Sequence, residues 1–344
     1  MGSCFDNKDN ITPIKRITSI KVFGNDCVED GMNPFFTIAI PTYNRPTTLA
    51  ETINSALIQE RYNNYEIIVV DNNPERGDET ELFMQKYSSH PKIAYYKNAE
   101  NVGMSGNWNK CIILAKSNNV ILLHDDDIIS PFALSIFGRV LKEIRDNWCF
   151  VKPNLFRFIE SRDLLLSNGN EFSLRRLSLL DFSFGCPVGA PSCMLFNKTS
   201  YLKVGGANDD YFPCVDYSLN LRLCRLGNSY LLGGECLGGY RVADNESLKE
   251  STMDKYFIER YRISDSVLKA LHVPGRLRGM IQAAMIERQV ETVKSYYNLE
   301  DYQYKYSSFP AIKMSAWGKC IISNLYELVM KINYKVSFKR ISIV

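Results

Sequence analysis

The chain alternates short, wholly apolar runs with longer stretches whose apolar residues recur every three or four positions. Residues 35–41, FFTIAIP, form an unbroken apolar run and predict a strand buried on both faces. Residues 47–59 follow with Leu49, Ile53, Ala56 and Leu57 at helical spacing, and Thr47 or Thr48 as the cap. YEIIVVDNNP (65–74) is a second buried strand, residues 78–88 a helix, and KIAYY (92–96) a third strand. Residues 101–117 run from a glycine-rich turn into a helix carrying Trp108, Cys111, Ile112 and Ala115. Then VILLH (120–124) ends on three consecutive aspartates, Asp125, Asp126 and Asp127.

Beyond Pro131 the pattern predicts a helix over 132–144 and a strand around 149–151. A less regular stretch over 160–185 and a strand-like segment at 189–197 follow. Residues 215–227 read as an amphipathic helix with Leu219, Leu223 and Leu226 on one face and Gly227 closing it. Past residue 250 the chain is mostly helical. Apolar strands separated by helices are the pattern of an α/β fold around a mostly parallel sheet. Such sheets bind ligands at the carboxyl ends of their strands. The topology gathers three polar clusters at one edge: residues 41–45, 71–73 and 125–127.

Composition narrows the function classes. Of 344 residues 45% are hydrophobic and 23% charged, an ordinary globular balance. Lys and Arg number 41 against 38 Asp and Glu, a net charge of +3 that argues against a nucleic-acid partner. Ten cysteines without a C-x-x-C pair, and only three histidines, argue against zinc and favour reduced thiols in a cytosolic protein. The first ten residues lack the apolar stretch of a signal peptide, and no run of about 18 apolar residues predicts a spanning helix.

Three carboxylates after an apolar strand suit a hard divalent cation, because such ions take oxygen ligands and share them with phosphates. The competing reading is an acidic turn capping the next helix. Asp71 ends its strand where a carboxylate could accept a nucleobase N–H, or it is a turn former before Asn-Asn-Pro. Tyr43 could lie along a base or ribose and Arg45 could meet a phosphate; either could be a plain turn residue.

Taken in order, PTYNR (41–45), EIIVVDNN (66–73), NVGMSGNWN (101–109), LHDDDIISP (123–131) and SCMLFNKTSYLKVGGANDDYF (192–212) followed by VDYSLNLRL (215–223) closely resemble the family 2 glycosyltransferases. The resemblance covers roughly residues 35 to 245. It implies the GT-A fold, a Rossmann-like, mostly parallel mixed sheet flanked by helices, and an inverting sugar transfer from a nucleotide-diphosphate sugar, with a UDP-sugar the expected donor. It assigns Pro41, Thr42, Tyr43, Arg45, Asp71, Asn101, Asp125 and Asp126 to the donor. Asp126 and Asp127 would hold Mn2+ or Mg2+, and Asp216 would be the general base, its alternative being a helix N-cap. Three positions depart from the family pattern. Val215 replaces an acid before the base, Asn72 follows Asp71 where a second Asp is usual, and Ala243 stands where a histidine often binds the metal, with Asp244 or Asn245 as stand-ins. His124 reads as a packed, hydrogen-bonded histidine, or as one that orients a carboxylate or contacts substrate, and Trp108 as packing beneath the donor site or stacking on a base.

Residues 311–344 carry Lys313, Lys319, Lys331, Lys335, Lys339 and Arg340 against Glu327 alone. Trp317, Ile321, Ile322, Leu325, Leu328, Val329 and Ile332 supply an apolar face at helical spacing. A basic amphipathic helix suits an anionic membrane surface; a packed terminal helix or a homodimer contact is the alternative. The expected organisation is an irregular leader (1–34), a GT-A domain (35–248, with a nucleotide-binding half 35–131 and an acceptor half 132–248), and a helical region (249–344). The expected acceptor is a lipid-linked surface glycan of the O-antigen or capsule type, built at the cytoplasmic face of the inner membrane. The rival functions are a sugar-phosphate nucleotidyltransferase, against which the lack of a glycine-rich loop after strand one argues, and a non-catalytic nucleotide-sugar-binding protein.

Overall fold

The computed structural model describes residues 9–24, 33–144, 147–159, 172–183, 185–242, 250–297 and 315–341. The first half comprises α1 (Ile11–Arg16), β1 (Ser19–Gly24), β2 (Phe36–Thr42), α2 (Pro46–Leu57), β3 (Tyr65–Asp71), α3 (Glu79–Met84), β4 (Ile93–Asn98), α4 (Gly103–Leu114), β5 (Asn119–Leu122), β6 (Ile128–Ile129) and α5 (Ala133–Glu143). Then come β7 (Trp148–Pro153), β8 (Phe156–Phe158), β9 (Phe172–Arg176), β10 (Met194–Asn197), α6 (Lys198–Lys203), α7 (Val215–Leu226), β11 (Asn228–Gly234) and β12 (Gly238–Arg241). The chain closes with α8 (Glu250–Ala270), α9 (Gly275–Tyr297), α10 (Ala316–Ser337) and β13 (Phe338–Ile341).

The main sheet runs β1-β4-β3-β2-β5-β10-β7-β11-β9-β13. Strands β4, β3, β2 and β5 are mutually parallel, and β10 enters antiparallel between β5 and β7. The apolar runs are unbroken because each strand feeds two cores. Ile38, Ile40, Ile67 and Val69 pack with Leu49 and Ile53 of α2 and Phe137 of α5. Ala39, Ile68 and Val70 pack on the other face with Cys111 and Ile112 of α4 and Leu219 and Leu223 of α7. Each such side chain stabilises the fold by roughly 1.5–3 kcal/mol on burial.

A second sheet, β6-β12-β8, clamps the segment just after the three aspartates. Gly238 of β12 permits the approach: a Cβ there would lie 2.5 Å from the Ile128 carbonyl oxygen.

Several expectations need correction. The leader is not irregular throughout: α1 and β1 occupy it, and β1 pairs antiparallel with β4 at the sheet edge. Its half-buried strand, SIKVFG, lacks an unbroken apolar run. Neither Thr47 nor Thr48 caps α2, whose N-cap is Arg45 with Pro46 at the first helical position. The 160–185 stretch contains β9, and the helical C-terminal region ends in β13, which pairs with β9. Ala243, Asp244 and Asn245 lie outside the described residues.

Helix α10 presents polar groups inward. Tyr326 Oη lies 2.9 Å from Ser183 Oγ, and Asn333 Nδ2 donates to Asp181 Oδ1 at 3.0 Å. Its outer face carries exposed Trp317, Ile321, Leu325, Leu328, Ile332 and Val336, one stripe at three- and four-residue steps. Among the described residues no helix is long and apolar enough to cross a membrane.

Candidate functional site

Because β2, β3 and β5 are parallel, the loops after them open on one edge, and a cleft of about 530 Å3 lies there. The β2–α2 turn supplies Pro41, Thr42, Tyr43 and Arg45 to its wall. Asn44 makes this turn with φ of 53°, a left-handed conformation that asparagine tolerates. Asn101 precedes α4, while Asp125 and Asp126 follow β5. Of the residues assigned to a donor from sequence, all but Asp71 line the cleft.

Asp71 is fully inaccessible and spends its carboxylate on the protein. It accepts from Tyr95 Oη at 2.6 Å, Lys97 Nζ at 2.8 Å and the Asn73 amide at 2.9 Å. Asn72 reaches the cleft in its place, donating to Asn101 Oδ1 at 2.7 Å and accepting from the Val102 amide at 3.0 Å. The position after Asp71, read from sequence as a lost carboxylate, is thus the one that shapes the wall.

The three aspartates differ in surroundings. Thr42 Oγ1 donates to Asp125 Oδ2 at 2.8 Å, and burial pushes the Asp125 carboxyl up to about 6. Arg45 Nη1 pairs with Asp126 Oδ2 at 2.9 Å. Asp127 is fully buried behind the acidic loop; its Oδ1 accepts the Arg241 amide at 2.8 Å, and burial, with the Asp126 charge beside it, pushes its carboxyl up to about 7. Arg241 also donates from Nε to the Asp126 carbonyl at 2.9 Å and pairs with Glu51, so β12 fixes the acidic loop.

His124 stacks on Trp108 with ring centroids 5.5 Å apart, and burial lowers its pKa to about 4, leaving a neutral imidazole. Ligand atoms of His124, Asp126 and Asp127 lie within 4.8 Å of one another. Among the described residues, His124 Nε2 and Asp127 Oδ2 are buried without hydrogen-bond partners. Buried polar atoms are rarely left so. Two carboxylates and a neutral imidazole this close fit one divalent cation, Mn2+ better than Mg2+, which keeps to oxygen. His124 was singled out from sequence as a packed or orienting residue; only the fold shows it converging with Asp126 and Asp127.

Asp216 lies in the first turn of α7, and Cys214 rather than Asp216 is the N-cap. Its Oδ1 accepts the Tyr217 amide at 2.8 Å. Burial pushes its carboxyl up to about 6, against the pull of that amide and of the charges on Arg260 and Lys152. Asp216 borders the first cleft and also a second one, of about 480 Å3, lined by Lys152, Arg157, Tyr256 and Arg260. Among the described residues it is the carboxylate common to both walls.

Residues 37–205 match the family model described as Glycosyl transferase family 2. Among curated proteins, the uncharacterized protein MT1568 of Mycobacterium tuberculosis is 25% identical over 245 residues, 67% of this chain and 74% of that one. The putative colanic acid biosynthesis glycosyl transferase WcaA of Escherichia coli is 32% identical over 105 residues, covering 30% of this chain and 37% of its own length. The match thus reaches well under half of that relative. Among solved structures, S. aureus TarS 1–349 in complex with UDP superposes with a TM-score of 0.55 at 16% identity, over 80% of this chain and 76% of that one. The mannosyltransferase PcManGT from Pyrobaculum calidifontis, in complex with GDP-Man and Mn2+, gives 0.51 at 12% identity, over 95% and 88%. At these identities the likeness is one of fold, and the α/β sheet flanked by helices is that of these two proteins.

Proposed function

We propose, from the match of residues 37–205 to the family 2 glycosyltransferase model, that the chain is such an enzyme and performs an inverting transfer of sugar from a nucleotide-diphosphate donor, a UDP-sugar first, to a hydroxyl of a growing lipid-linked surface glycan. The observation that carries this reading is the position of Asp216 on the wall shared by two clefts. The first cleft takes the donor. Tyr43 lies along the nucleoside, Asn72 and Asn101 meet its polar edges, and Arg45 leaves Asp126 to meet the diphosphate. The acceptor hydroxyl enters from the second cleft.

Asp216 accepts the proton of that hydroxyl as the oxygen attacks the anomeric carbon from the face opposite the leaving nucleotide, which inverts the centre. A carboxyl near 6 is ionised at neutral pH yet basic enough to share a proton in the transition state. Asp126 and Asp127, with His124, would hold the divalent ion, which when bound neutralises charge growing on the diphosphate. Asp125 is held by Thr42 and faces the ribose.

The outward stripe of α10, with Lys331 and Lys335 exposed beside it, lies on the anionic cytoplasmic face of the membrane, which brings the enzyme to a lipid-linked acceptor. The test of the donor reading is a thermal-shift screen of UDP-, GDP- and dTDP-sugars with Mn2+. A donor at 100 times its Kd stabilises by about 2.7 kcal/mol, a shift of several degrees. No shift with any nucleotide would contradict the reading.

A further inference from the structure

The two clefts differ in charge. In the first, among the described residues, Arg45 is the one cation, facing Asp125, Asp126 and Asp216. In the second, Lys152 of β7, Arg157 of β8 and Arg260 of α8 converge from three elements, and among the described residues Asp216 is the one acid on its wall. We propose that the second cleft recognises an anionic group, a phosphate or a carboxylate, carried by the acceptor beside the attacking hydroxyl. The proposal rests on the reading of Asp216 as the base between donor and acceptor.

Lys152 carries the argument furthest. It is 9% exposed, and its Nζ donates to two neutral carbonyls, Ala190 at 2.7 Å and Ser192 at 2.8 Å. Among the described residues no carboxylate lies within 4.0 Å of it, unlike the other buried lysine of the sheet, Lys97, which has three. Its hydrogen bonds go to carbonyls and the Asp127 and Asp216 charges reach it only from beyond contact, so a desolvated ammonium on this wall gains from an anion in the cleft it lines.

Arg260 adds a planar guanidinium, set over the Tyr256 ring at 5.1 Å, which suits bidentate capture of phosphate or carboxylate. Arg157 is exposed at the rim, where it steers anions inward. An anion seated on these three would stand off from the Asp216 carboxylate and so turn the neutral hydroxyl toward it. Arg260 stands on α8, beyond the residues matched to the family, whereas Lys152 and Arg157 lie within them.

Calorimetric titration of the full chain with methyl phosphate, glucuronate and neutral methyl glucoside tests this, in the parent and in Arg157→Gln, Arg260→Lys and Arg45→Gln. The expected result is saturable binding of an anion, weakened about ten-fold by Arg157→Gln, as for one lost charged hydrogen bond. Arg260→Lys weakens it too, since it keeps the charge but loses the fork, while any anion binding that Arg45→Gln removes belongs to the first cleft and is insensitive to Arg157→Gln. The tighter of the two anions identifies the acceptor's charged group. Failure of either anion to bind, equal binding of methyl glucoside, or a loss caused by Arg45→Gln and not by Arg157→Gln would overturn the proposal. Nucleotide binding is read separately, so an empty second cleft and a failed donor reading are distinguishable.

Discussion

Lys97 donates to Asp71 across neighbouring strands at 2.8 Å, and neither side chain reaches solvent. The same ammonium pairs with Asp78, the cap of α3, at 2.9 Å. Removing one partner of a buried pair leaves an uncompensated charge and costs about 3–5 kcal/mol. Lys97→Met is therefore expected to lower unfolding free energy by that amount in urea. At temperatures where the variant stays folded, its nucleotide affinity should match the parent, because Asp71 lies behind the cleft wall. Asn72→Ala, in contrast, should weaken nucleotide binding.

Arg45 lies against Asp126 at 2.9 Å, where a metal-binding carboxylate is proposed. Asp126→Asn should weaken Mn2+ binding ten-fold or more, measured by electron paramagnetic resonance. Arg45→Gln should strengthen Mn2+ binding in the absence of nucleotide by removing a competing cation. The gain is only about two- to three-fold, because Arg45 is half exposed and screened. In the presence of donor the sign reverses, since Arg45 then meets the diphosphate.

Asp125, Asp127 and Asp216 have carboxyls pushed above the ordinary value to about 6, 7 and 6. The folded chain then binds more protons than the unfolded chain between about pH 4 and pH 7. Linkage makes metal-free stability fall as pH rises through that window. Mn2+ favours the ionised acidic loop, so adding it should flatten the fall in a pH series of urea melts. At saturating Mn2+, transfer activity should rise with pH as Asp216 ionises, half-maximal near pH 6.

On α10 the stripe from Trp317 to Val336 is exposed, with Trp317 at 78% and Val336 at 83%. Leu325→Glu with Ile332→Glu should abolish co-sedimentation with phosphatidylglycerol vesicles, and raised salt should weaken it in the parent. Nucleotide affinity should be unchanged. Concentration-dependent dimerisation lost in the same variant, without any vesicle binding, would assign the stripe to a second copy.

Much of this was legible in the chain. Unbroken apolar runs marked β2, β3 and β5, and because parallel strands end together, the polar residues after them marked the cleft. The acidic loop followed from its place after a strand, and Asp216 from the family resemblance. What stayed hidden depends on where side chains turn. Asp71 reads as a strand-end ligand, yet Lys97, a lysine that looks like surface after Tyr95-Tyr96, draws it inward. Arg241 sits in a short polar segment whose pairing with the acidic loop is set by a contact 114 residues away. Lys152 follows Val151 in an apolar strand with nothing local to show that its charge enters a second cleft.

The most direct test of the central claim compares Asp216→Asn with the parent in donor binding and in sugar transfer. The amide keeps the shape of the wall but accepts no proton. Donor affinity in Mn2+ should stay within about two-fold, while transfer to acceptor falls by 10²–10⁴-fold, the range for a lost general base. Full transfer by Asp216→Asn would contradict the account.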